Sequence, residues 1–137
     1  MASSKTYPMY VSVEPWIWND ARVRSLTTVA RNVFAQLLTC PQHSKVPGLL
    51  IQTGPGALRD EFQVPEAELL AAFEELQAAG LAFADWKARV VYCRPLLADM
   101  SCNRPKSPSR AAAYGLVVHR LAQKCHVLTM VDEDIRA

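Results

Sequence analysis

The chain has 137 residues, half of them apolar and a fifth charged, with a formal net charge of +2. That composition fits one globular domain with extensions and excludes a disordered chain. No apolar run approaches the roughly 18 residues of a spanning helix, and the opening MASSKTYPMY lacks the apolar core of a secretory signal, so a cytoplasmic protein is expected.

Pro8 and Pro15 around the alternating Tyr10-Val11-Ser12-Val13 predict an N-terminal arm or edge strand over residues 1–15. If Trp16-Ile17-Trp18 is extended, both indoles share one face and Ile17 takes the other. Such a pair caps a core more readily than it stacks on bases. The first firm helix is expected over residues 28–38, with Thr27 as N-cap and Val29, Val33, Phe34, Leu37 and Leu38 as its core stripe. Cys40-Pro41 ends it, because a residue before proline is pushed out of the helical region. Gly48-Leu49-Leu50-Ile51 reads as a short strand.

A second helix is expected over residues 55–62, with Pro55 at its start and Thr53 as cap. Gln63-Val64 makes a tight turn into a third helix over residues 65–79. It buries Leu69, Leu70, Phe73 and Leu76 and stops at Gly80. Residues 81–84 and 89–94 read as strands around a turn at Asp85-Trp86-Lys87-Ala88. Beyond Pro95, a proline-broken basic linker leads to a last helix over about residues 110–124, and residues 126–137 are expected to be loose. Helix, tight turn, helix and hairpin together predict an α+β winged helix-turn-helix over residues 16–97. An N-terminal arm (1–15) precedes it, and a basic linker with a C-terminal helix (98–137) follows.

Charge is distributed unevenly. Residues 1–54 carry five basic and two acidic groups, residues 55–100 four and eight, and residues 101–137 six and three. The third helix holds Glu66, Glu68, Glu74 and Glu75 without a single Lys or Arg. A helix reading bases in the major groove uses Arg, Lys, Asn or Gln, and only Gln63 here qualifies. Phosphate contact therefore falls to the wing (Trp86, Lys87, Arg89) and to the basic flanks: Arg22, Arg24, Arg104, Lys106 and Arg110. Trp86 suits either a sugar-phosphate contact or packing across its own hairpin.

Catalytic and metal chemistry find little footing. There is no Ser/His/Asp or Cys/His context, no glycine-rich phosphate loop and no HExxH. Glu74 and Glu75 are adjacent, so they diverge by about 100° around a helix and form no acid/base pair. Cys40, Cys93, Cys102 and Cys125 include no CxxC pair, so reduced cysteines are expected and no metal or cofactor.

The runs Trp18-x-Asp20, Arg24-Ser25-Leu26, Ala30-Arg31 and Leu37-Leu38-Thr39 lead to Gly48-Leu49. Phe73-Glu74-Glu75-Leu76, Gly80-Leu81, Asp85, Val90-Val91 and Pro105-Lys106-Ser107-Pro108 continue the layout. Over about residues 16–110 this pattern resembles the winged-helix N-terminal domain of phage replication and replisome-organiser proteins. The resemblance implies a non-enzymatic DNA-binding protein acting in replication initiation or transcriptional control. A competing reading takes Glu66, Glu68, Glu74 and Glu75 as a face that captures a host polymerase or replication factor with a basic surface. Edge strands in the arm and apolar positions in the last helix could support a homodimer.

Overall fold

The computed structural model describes residues 11–40, 43–121 and 124–137. Its elements are α1 (Ala21–Arg24), α2 (Thr28–Thr39), β1 (Leu49–Ile51), α3 (Pro55–Phe62), α4 (Glu66–Ala78), β2 (Ala82–Asp85), β3 (Val90–Cys93), α5 (Pro108–His119) and α6 (His126–Arg136). The strands form an antiparallel sheet in the order β1-β3-β2, with Leu49 opposite Tyr92 and Phe83 opposite the same Tyr92. The chain is thus α+β, and no helix among the described residues is long and apolar enough to cross a membrane.

Strand alternation sends Leu50, Val91, Cys93 and Ala82 to one face, where they meet Val33, Phe34, Leu37, Leu58, Leu69 and Phe73 from α2, α3 and α4. Leu49, Val90 and Tyr92 point to the other face and meet Val118 of α5 and Val127, Leu128, Val131 and Ile135 of α6. All four residues of β3 are therefore buried. Two cores share one three-stranded sheet.

Local chemistry sets the helix ends. The Thr27 hydroxyl accepts from the Ala30 N–H at 3.3 Å to start α2, and Pro55 occupies the first position of α3. Gln63 closes α3 in the left-handed region (φ 55°), and Gly80 follows α4 with φ 77°. Val29, expected on the buried stripe of α2, is exposed, because the stripe runs through Ala30, Val33, Phe34, Leu37 and Leu38 instead. Leu70 of α4 is only half-buried, and Ala72 takes the buried position. Thr53 does not cap α3: Gly54 stands at the cap without a side-chain bond, and the buried Thr53 hydroxyl finds no partner among the described residues.

The N-terminal and C-terminal segments depart most from expectation. Residues 1–10 of the expected arm lie outside the described residues, and residues 11–14 form no strand. Asn103 holds this stretch: its Oδ1 accepts from the Ser12 N–H at 3.1 Å, while its Nδ2 donates to the Ser12 carbonyl at 2.7 Å and the Leu96 carbonyl at 2.9 Å. Trp16-Ile17-Trp18 is not extended but lies in a 3₁₀ helix (Pro15–Asn19), set by Pro15 at its start. Ile17 is buried, while Trp16 and Trp18 stay about 40% exposed.

Helix α5 begins at Pro108 behind Ser107, whose hydroxyl caps the Arg110 N–H at 3.2 Å, and ends at His119 rather than Lys124. Residues 126–136, expected to be loose, form α6. An 11-residue helix is marginal alone in water. Four buried aliphatic side chains at about 1.5–3 kcal/mol each more than offset that deficit.

Candidate nucleic-acid interface

Helix α4 follows α3 through a three-residue turn, Gln63-Val64-Pro65, in which Val64 is buried and Gln63 exposed. Glu66, Ala67, Glu68, Ala71 and Glu74 form its exposed face. Two of its four carboxylates already have internal partners. Glu75 accepts from the Thr27 N–H at 2.6 Å and the Thr27 hydroxyl at 2.8 Å, joining α4 to the start of α2. Glu66 lies 3.4 Å from Arg59 of α3. Glu68 and Glu74 have no ion-pair partner among the described residues.

The β2–β3 turn is closed by Asp85, whose Oδ1 accepts from the Ala88 N–H at 2.8 Å. Trp86 is not a free tip. It sits half-buried with its ring edge-on to Phe73 of α4, centroids 5.0 Å apart at 80°, so the indole joins the hairpin to the helix. Lys87 is exposed. Arg89 adopts φ 61°, its guanidinium donates to the Gln52 carbonyl at 3.4 Å, and its carbonyl accepts from the Thr53 N–H at 3.0 Å. The hairpin is thereby tied to the end of β1, with two cations on its outer edge.

The basic flanks divide into occupied and unoccupied groups. Arg22 chelates Asp20 at 3.0 and 2.9 Å and reaches Asp99 at 3.1 Å. This network holds the Asp20 carboxyl below its ordinary range and the Arg22 guanidinium above its own. Arg104 donates to the last carbonyls of α6, those of Asp134, Ile135 (3.5 Å) and Ala137 (2.8 Å). Neither arginine is a free phosphate contact, because both hold the ends of helices. Arg24 is exposed beside Trp18 and Arg31, the three lining a shallow depression of about 290 Å³. Lys106 and Arg110 are exposed and line a groove of about 640 Å³ together with Arg104 and Lys45.

Lys45 is the residue that sequence reasoning passed over. It lies in the loop before β1, about sixty residues from Lys106, and no local pattern links the two. Cys93 is buried on β3, and Cys102 is exposed. No three His, Cys, Asp or Glu side chains gather as a metal-ligand set among the described residues. No protein-family model, curated protein or solved structure matches this chain.

Proposed function

We propose that the chain is a non-enzymatic winged-helix DNA-binding protein, of the phage or mobile-element type used in replication initiation or transcriptional control. It grips the duplex mainly through phosphates. One observation carries the reading: the α3–turn–α4 pair runs directly into the β2–β3 hairpin, and β1 closes the sheet in the order β1-β3-β2. In that arrangement a wing stands beside a helix-turn-helix, and here Phe73–Trp86 contact fixes the wing to the second helix of the motif. Lys87 and Arg89 supply charge on the wing and Arg24 on the flank, while α4 and the turn before it offer alanines and Gln63 rather than basic readers.

Internal partners for Glu66 and Glu75 favour this reading over capture of a basic host protein, because among the described residues they leave only Glu68 and Glu74 of α4 outward and without an ion-pair partner. Titration of a short labelled duplex across salt concentrations tests it. Affinity should fall linearly on a log–log scale with a slope near −0.9 per phosphate contacted. Changing Lys87 and Arg89 together to Glu should weaken duplex binding at least about tenfold. Absence of binding at about 50 mM salt would overturn the reading. Retention of a basic host protein that E68K/E74K abolishes would put the acidic face in its place.

A further inference from the structure

The four cations around the 640 Å³ groove come from three separate parts of the chain: Lys45 before β1, Arg104 and Lys106 in the connection to α5, and Arg110 in the first turn of α5. Among the described residues no carboxylate lines the groove. Glu14, which touches the wall at Cys102, accepts from the Trp16 indole N–H at 2.6 Å and the Cys102 N–H at 3.4 Å. Lys45, Lys106 and Arg110 have no ion-pair partner among the described residues, and the residues outside that set include no Asp or Glu.

Four like charges held together without a counter-charge repel one another, and an anion in the groove removes that repulsion. Arg110 adds to the strain, because a cation in the first turn opposes the helix dipole and α5 has no acidic residue there. Arg104 keeps its charge on the wall while its donors are occupied by α6 carbonyls.

The geometry points to this groove as a binding site for single-stranded nucleic acid, with phosphates on Lys45, Lys106 and Arg110 and a base against Tyr114. A volume of about 640 Å³ is in the range of sites for molecules larger than a bare phosphate, so a nucleotide fits where a whole duplex cannot enter. Tyr114 lines the same groove from α5, one turn beyond Arg110, and supplies the aromatic face on which a base of any identity stacks. The site adds a second surface to the function proposed above and does not depend on the wing. It makes the protein able to hold an unpaired strand apart from a duplex.

The test uses the full chain and a labelled oligothymidylate of about twelve nucleotides, followed by fluorescence anisotropy. The expected salt slope is about −2, from three phosphate contacts at about 0.7 each. The double variant K106E/R110E should lose at least about tenfold in single-strand affinity and most of that slope. Both side chains are exposed and their repulsion is relieved, so its melting temperature should equal or exceed that of the parent. K45E should act in the same direction, and K87E/R89E should weaken single-strand binding clearly less than K106E/R110E does. The proposal is overturned if K106E/R110E binds the strand like the parent, or if the wing variant loses the strand equally. It is also overturned if thymidine monophosphate competes as well as the oligomer, which would make the groove a small-anion site. A wing variant that fails to affect duplex binding bears on the earlier reading alone.

Discussion

The carboxylate of Asp134 accepts the hydroxyl proton of Tyr92 across 2.6 Å, joining the last helix to the middle strand of the sheet. Arg94, next to β3, grips the same carboxylate at 2.9 and 3.0 Å. Burial first, and the hydrogen bond to Asp134 second, push the Tyr92 hydroxyl well above its ordinary pKa, so it stays a donor. A polar cluster thus fixes the register of α6 on an otherwise aliphatic surface.

Asp134→Ala should destabilise the fold by about 2–3 kcal/mol, since it leaves a buried hydroxyl without an acceptor while Arg94, itself partly exposed, regains water. Tyr92→Phe should cost only about 1 kcal/mol, because no polar group is then orphaned in the core. Urea midpoints at constant slope measure both, and the double variant should cost less than the sum of the single ones.

Trp86→Ala should lower stability by about 2 kcal/mol through loss of the edge-on contact with Phe73, whereas Trp86→Phe should lose less than about 1 kcal/mol. Duplex affinity measured on folded protein should change less for Trp86→Phe than for K87E/R89E. An equal loss would mean that the indole itself meets the nucleic acid.

Two glycines in the same backbone region should respond differently to alanine. At Gly48 (φ 88°) an added Cβ would lie 2.5 Å from the Cys93 carbonyl oxygen, on backbone that is hydrogen-bonded to it, so Gly48→Ala should cost about 3 kcal/mol or more. At Gly80 (φ 77°) nothing lies within 4 Å, and Gly80→Ala should cost only the left-handed conformation, about 1 kcal/mol. Thermal melts of the two variants give the comparison directly.

His43 bridges α2 to the start of β1, with Nε2 donating to the Leu37 carbonyl at 2.8 Å and Nδ1 accepting from the Gly48 N–H at 3.1 Å. Burial lowers its pKa from the ordinary 6.5 despite the opposing bond to Leu37. The folded state thus binds the proton less readily than the unfolded state. Stability is complete above about pH 6.5 and falls as pH drops through the lowered value. Asp20, held low by Arg22, adds a second loss below its ordinary 3.8. His43→Gln should flatten the first loss and leave the second, as read from melting temperature against pH.

The stretch from α2 to β3 was legible because its signals are local. Thr27, Pro55 and Gly80 mark the ends, and Val33, Phe34, Leu37 and Leu38 keep helical period. The signal for α6 was also present, since Val127, Leu128, Val131 and Ile135 repeat at i, i+1, i+4 and i+8. Asp132-Glu133-Asp134 hid it, because a run of three acids reads as solvated chain until Asp134 is known to meet Tyr92 and Arg94 about forty residues earlier. The same non-local pairing misdirected the reading of Arg22 and Arg104. A basic residue looks available in sequence until its carboxylate or helix end arrives from elsewhere. Lys45 failed in the opposite sense, since its companions in the groove are visible only after folding.

Strand β3 lends Val91 and Cys93 to the helices before it and Val90 and Tyr92 to those after it. The halves on either side should therefore melt together, since loosening one removes a wall from the other. Four residues make a single cooperative unit of a chain whose two faces touch different partners. A ligand that tightens the C-terminal pair of helices should be felt, through that strand, by α2, α3 and α4 on its other face.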